Sequence, residues 1–306
     1  MFQAMADARE DPPDHERRDV EHEVPQHEDL LSSEVCREEL QHCKARHPDL
    51  NGALVRLQST LQQALCRELE VTPDKRAVQI AVFGLAHQAA DDFYDVVLLA
   101  THAYGIGAQK LLRPLYERVV SALYLIEHPD EVQDFNDYAD IDAWHVITNA
   151  KRVGVDLASV MGQERYDQVE KAYKDAEARF TRQGSKRPRP SWAQKNLAQR
   201  AADVKVVGIE GEIVGLDKLY GACGFWPTML LHTTNVSLEA RLTSTATGGR
   251  AFTHEPTRVD ADAALKCAHD LIVLLLYKCN EFFGWGLDVT RLAQEVTRCW
   301  GAETRR

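Results

Sequence analysis

Apolar residues along this chain recur at intervals of three and four. Leu50, Leu54, Leu57, Leu61 and Leu65 make one such run, and Val78, Val82, Leu85, Ala89, Phe93 and Val96 make a second. That spacing lines one face of a helix with 3.6 residues per turn, and neither run alternates as a half-buried strand does. Thr72-Pro73-Asp74 opens the second helix with a capping hydroxyl, a proline at the first helical position and an acid facing the positive helix end. Gly105 and Gly107 interrupt it. A third helix turns Leu111, Leu112, Leu115, Val119, Leu123 and Ile126 inward, and His128-Pro129-Asp130 separates it from a fourth with Val132, Phe135 and Tyr138. Tyr166, Val169, Tyr173, Ala176 and Phe180 mark a fifth.

Beyond the break at 185–190, Ser191-Trp192-Ala193-Gln194 has the pattern of a capping box and starts a sixth helix. Gly208, Gly211 and Gly215 punctuate a loop. The helix after it holds Leu216, Leu219, Tyr220 and Cys223, is kinked or split by Pro227, and resumes to Leu242. Gly248-Gly249 opens another loop, and residues 259–283 form a last long helix. No segment reads as a strand. Long amphipathic helices joined by short connections predict an all-α fold, a single up-and-down bundle of about eight helices over residues 31–306.

Residues 1–30 are different. They hold ten acids against Arg9, Arg17 and Arg18, with prolines and no apolar periodicity, so they cannot bury enough surface to offset the entropy of ordering. A disordered acidic tail is expected, and it accounts for most of the formal net charge of -11. The longest apolar run, 271–277, is too short to cross a bilayer, and no leader-like stretch opens the chain, so no membrane partner is expected and the location is read as cytoplasmic. The 7 cysteines lack CxxC spacing and sit mostly among apolar residues, which predicts reduced thiols, no metal site and no cofactor.

Common enzyme signatures are missing. The glycines at 208–215 are not followed by the Lys-Ser/Thr of a phosphate-binding loop, and there is no Gly-x-Ser-x-Gly, His-Glu-x-x-His or EF-hand pattern. Polar residues on apolar faces carry what chemistry there is. Arg113 and Glu117, four apart beside Pro114, are either a solvated ion pair or a polar pair facing a groove. Asp142 and His145 continue the stripe of Tyr138, as hydrogen-bonded core groups or as an acid/base or metal-ligand pair completed by His87, Asp91, Glu117 or His232. His232, in the run Met229-Leu230-Leu231-His232, is either a satisfied core histidine or a proton-transfer group. Between 178 and 202 lie Arg179, Arg182, Lys186, Arg187, Arg189, Lys195 and Arg200 with no acid, either a solvated basic face or a contact for phosphate or nucleic acid.

Leu111-Leu112-Arg113-Pro114-Leu115-Tyr116-Glu117, then Leu123-Tyr124-Leu125, Pro129, Phe135, Tyr138, Asp217, Leu219-Tyr220 and His232, resembles an uncharacterised family of bacterial all-helical domains over residues 77–242. The matching positions are Arg113, Glu117, Tyr138, Tyr220 and His232. That family is distantly similar to HEPN-type helical domains, many of them RNA-cleaving toxins or defence effectors that act as dimers through an Arg-x4-6-His motif without metal. The resemblance implies an effector acting on RNA or another polyanion, with a second copy of the chain as partner. Arg113, Glu117, Tyr138, His145 and His232 would be its catalytic candidates. Arg37 and His42 fit the linear spacing, as chance pairs also do, so Arg113 and His232 from different helices are the preferred pair. A non-catalytic binding or scaffold protein is the alternative, and a bundle-core metal protein the third reading.

Removal of residues 1–30 is expected to leave the melting temperature within a few degrees of that of the full chain. A larger drop in a thermal melt would show that this segment docks.

Overall fold

A computed structural model of the chain describes residues 33–181, 184–185, 187–207, 213–232, 234–245, 248–252 and 258–301. The tail at 1–30 lies outside them. The fold is all-α. Helices α1 (Ser33–Arg46) and α2 (Leu50–Leu65) lead into α3 (Arg76–Thr101) and α4 (Gly105–Glu127). After a short 3-10 turn, Pro129–Glu131, come α5 (Val132–Arg152), α6 (Leu157–Met161), α7 (Gln163–Phe180) and α8 (Leu197–Asp203). A 3-10 turn at Leu216–Leu219 and a π-helical segment at Tyr220–Phe225 then precede α9 (Trp226–Leu231) and α10 (Asn235–Glu239). Long helix α11 (Ala261–Phe283) and amphipathic α12 (Val289–Gly301) complete the described chain. No helix among the described residues is long and apolar enough to cross a membrane.

Three helices make the core. α3 and α4 are joined by His102, Ala103 and Tyr104, so they run antiparallel in contact, and α11 packs on both. The tight entry to α4 requires Gly105, since a Cβ there would lie 1.9 Å from the Val259 carbonyl oxygen. Every residue of α4 from Val119 to Leu125 is buried. A helix stretch buried all round leaves its polar side chains no water, so each needs a partner from another segment. Gln109 donates to the Asp260 carbonyl at 3.4 Å, Tyr116 to the Leu216 carbonyl at 2.9 Å and Tyr124 to the Glu131 carboxylate at 2.6 Å. These contacts draw distant parts of the chain around α4.

Several expectations are corrected. The stretch from Ser191 to Gln194 opens no helix. The capping box lies five residues on, where Asn196 accepts from the Gln199 amide at 3.0 Å and Gln199 reaches back to the Asn196 amide at 2.9 Å. Thr72 does not cap α3, which begins at Arg76. Its amide instead donates to the Gln79 side chain at 2.8 Å, within a turn closed by Lys75. Two small hairpins occur where no strand was read: β1 (Lys205–Val207) with β2 (Ile213–Gly215), and β3 (Leu242–Ser244) with β4 (Arg250–Phe252), both antiparallel. Strands of three residues are too short to show period-two alternation. The helix expected between Leu216 and Leu242 is broken into a π segment, α9 and α10, with Pro227 in the first turn of α9, where its missing N–H has no intrahelical role. Across the five-residue α6, α5 packs on α7, with Trp144 stacked on Tyr173 at 5.3 Å.

His269 lies in this core, fully buried, with Nδ1 on the Leu265 carbonyl at 2.6 Å and its ring against Phe93 and Trp300. Burial lowers its pKa from 6.5 to about 4, opposed by the bond to Leu265. The unfolded chain therefore takes up the proton first, and this residue's contribution is present above pH 6.5 and lost as pH falls toward 4, up to about 3 kcal/mol. The neighbouring Asp270 acts with the opposite sign, since burial raises its carboxyl from 3.8 to about 6. Urea melts at pH 7 and pH 4.5 on wild type, His269→Leu and Asp270→Asn should separate the two. Wild type is expected to lose stability relative to His269→Leu on acidification and to gain it relative to Asp270→Asn. Parallel pH profiles would contradict both assignments.

Candidate functional site

One face of α4 carries Arg113, Tyr116, Glu117 and Ser121, at helical spacing, and α8 and the π segment close over it. Arg200, on α8, is 2% exposed. Its guanidinium lies over the Trp192 ring, 4.8 Å from the centroid, and donates to the Ser121 hydroxyl at 2.9 Å. Its other terminal nitrogen is 3.9 Å from Glu117, and its Nε has no hydrogen-bond partner among the described residues. On the solvent side of the same carboxylate, Arg113 Nε is 3.6 Å away, and an Arg113 terminal nitrogen donates to the Gly224 carbonyl at 3.4 Å. Two guanidinia thus share one carboxylate at the outer limit of ion-pair distance. The cluster is sealed at Arg200 and opens to solvent at the half-exposed Glu117 and the quarter-exposed Arg113. Burial pushes the Arg200 pKa down, Glu117, Tyr124 and Glu131 pull it back, and Arg113 adds to the effect of burial.

The π segment forms the rim. Tyr220 lies against Tyr116, with centroids 6.2 Å apart. Gly224 is required by close approach: a Cβ would come within 2.8 Å of the Tyr220 ring and 3.3 Å of the Tyr116 ring. Its carbonyl accepts from the Thr228 hydroxyl at 2.6 Å as well as from Arg113. Tyr116 stays a neutral donor, its phenol pushed up first by burial and then by Cys223 and Asp217. π turns inside helical segments are uncommon and concentrate at functional sites. α4 itself runs unbroken through Pro114.

The other candidates lie elsewhere. Tyr138 is buried, donates to the Arg189 carbonyl at 2.7 Å and packs edge-on against Phe180. His145 is exposed on α5, beside an Asp142 whose pKa is raised by burial and lowered by the histidine. His232 is exposed at the C-terminal end of α9 with extended backbone, so it is not a core histidine. No hydrogen bond or ion pair joins His232 or His145 to Arg113 among the described residues, and no group of three metal-ligating side chains occurs there.

The basic stretch is largely spent on the protein itself. Arg179 pairs with Asp134 and Asp137. Arg189 is buried over Phe180, pairs with Asp134 at 2.8 Å, and donates to the carbonyls of Ser191, at 3.0 Å, and Trp192. Lys195 pairs with Asp203 at 2.6 Å. Arg187 is exposed, and Arg182 and Lys186 lie outside the described residues. The compensating acids sit on α5 and at the end of α8, so a window from 178 to 202 does not contain them.

The model of a family of unknown function (DUF5677) matches residues 79–245, more than half of the chain. The chain belongs to this family. Neither the curated proteins nor the solved structures include a match. The family region runs from α3 into the second hairpin, so it contains the whole Arg113–Glu117–Arg200 cluster and its π-helical rim. It leaves out α11, one of the three core helices, as well as α1, α2 and α12. Arg113, Glu117 and Tyr220 were marked by the sequence pattern. Tyr116 and Trp192 appeared only as members of longer motifs, Ser121 and Gly224 carried no signal, and Arg200 was legible only as one more base, although the capping box at Asn196 points to the helix that carries it.

Arg200→Ala is expected to cost about 3 kcal/mol in urea denaturation, from lost packing on Trp192 and an unpaired Ser121. Arg200→Lys should recover less than half, because an ammonium neither lies flat on the indole nor offers the same fork of donors. A loss within about 0.5 kcal/mol, typical of exposed positions, would show that the guanidinium is not buried as described.

Proposed function

We propose that this chain is a helical effector that binds a phosphate-bearing ligand, RNA or another polyanion, at the Arg113–Glu117–Arg200 cluster. The observation that carries the reading is the loose hold on the outer guanidinium: Arg113 and buried Arg200 share the Glu117 carboxylate at long range, and among the described residues Arg113 is otherwise held by a long bond to the Gly224 carbonyl. A phosphate oxygen would meet the planar N–H edge of Arg113 in the geometry guanidinium favours, while buried Arg200 raises the potential from beneath. If the effector also cleaves RNA in the HEPN-like manner, Glu117 is the titratable group beside Arg113. The exposed His232 or His145, of the same chain or of a second copy, would then supply the proton-transfer group.

A second reading, a non-catalytic binding or scaffold protein, is favoured by the exposed apolar side chains Val153, Val155, Val160 and Met161 around α6. Titration with inorganic pyrophosphate and with a single-stranded RNA, at several salt concentrations, separates the two. The effector reading expects binding that weakens with salt and falls at least about tenfold in Arg113→Ala, at an unchanged melting temperature. RNA cleavage, where present, should fall with it. Absence of binding to either probe, or an affinity indifferent to Arg113→Ala, would leave the scaffold reading.

A further inference from the structure

At the end of the bundle where α3 begins, a cavity of about 480 Å³ opens between the start of α3, the junction of α4 with α5 and the end of α11. Its wall is apolar, made by Val78, Ile126, Pro129, Val132 and Phe282. Asp74 and Lys75, in the turn before α3, also line it. We propose that this cavity binds a free α-amino acid with a large apolar side chain. The side chain lies against the wall, the ammonium meets Asp74 and the carboxylate meets Lys75. The inference is independent of the phosphate reading.

The cavity is built before any ligand arrives. Val78 is buried, and Ile126, Val132 and Phe282 are partly buried and packed against the hydrophobic core. The turn that carries the two charges is tied down from within, because the Lys75 amide donates to the Thr72 carbonyl at 3.1 Å and the Thr72 amide to the side chain of buried Gln79 at 2.8 Å. Across the opening, the His128 amide donates to the Tyr124 carbonyl at 2.8 Å and the Tyr124 phenol to Glu131 at 2.6 Å, which fixes the segment holding Pro129 and Val132. A site whose walls are already in place loses little to ordering when it binds.

The charges select the ligand. Asp74 and Lys75 are both exposed, and neither side chain has a hydrogen bond or ion pair among the described residues. Neighbouring charges are already engaged: Lys278, one turn before Phe282, lies 3.7 Å from Glu127, and Glu131 accepts from Tyr124. A simple anion would meet Lys75 but set its charge beside Asp74, and a simple cation would do the reverse. A zwitterion offers each residue its counter-charge. Small-molecule sites of roughly 300–1,000 Å³ combine an apolar lining with a few polar groups in this way, and the gain on binding grows with the apolar area removed from water.

Isothermal titration of the full chain with L-phenylalanine and L-leucine tests the assignment. Glycine, hydrocinnamate and phenethylamine are the controls, lacking the side chain, the ammonium and the carboxylate respectively. Both apolar amino acids are expected to bind, with each control at least about fivefold weaker than L-phenylalanine. Lys75→Met and Asp74→Asn, at exposed positions, should each lower the L-phenylalanine affinity at least about fivefold at an unchanged melting temperature. The proposal is overturned if neither amino acid binds at millimolar concentration, if hydrocinnamate or phenethylamine binds as well as L-phenylalanine, or if either substitution leaves the affinity unchanged.

Discussion

α4 is buried on every side from Val119 to Leu125, and between Arg113 and Tyr124 it carries two arginines, a glutamate, a serine and two tyrosines. A helix interior cannot leave such groups unpaired, since a buried polar atom without a partner costs on the order of 1 to 3 kcal/mol. The rest of the fold follows from that demand. The segment after α8 comes back across α4 to put the Leu216 carbonyl on Tyr116, the π segment supplies Gly224 to Arg113, and α8 inserts Arg200 onto Ser121. Each contact joins residues at least 79 positions apart in sequence. The candidate site is therefore not an addition to the core. It is the place where the polar requirements of the central helix reach the surface.

Arg200 shows how charge is managed here. The buried guanidinium lies with one face on Trp192 and its two terminal nitrogens directed to Ser121 and Glu117. Arg189 repeats the device over Phe180, with Asp134 and two carbonyls. The same stretch of sequence thus contributes two interior cations and the Lys195–Asp203 pair, and its external charge is much smaller than its composition suggests.

Much of the helical fold was legible in advance, because local periodicity survives whatever the tertiary packing does. The apolar runs at 78–96 and 111–126 fall on α3 and α4, and Pro227 marked a real break. What escaped reading was non-local. The acids that neutralise Arg179 and Arg189 lie on α5, more than forty residues earlier. The short hairpins lack the length for a pattern, and the π segment differs from an α-helix by a hydrogen-bond register that composition does not encode. Of the site, Arg113 and Glu117 could be paired from their spacing, whereas Arg200 enters only through the topology. His232 misled because an apolar run does not say where its helix stops, and α9 ends one residue before it.

The claim on which the account rests is that the Arg200 guanidinium is sealed against α4. Proton NMR of arginine-labelled protein reads this directly, through the solvent exchange of each Nε–H. The account predicts that the Arg200 Nε–H, without a partner among the described residues but shut away from water, exchanges orders of magnitude more slowly than that of exposed Arg187. Equal exchange at the two positions would contradict it.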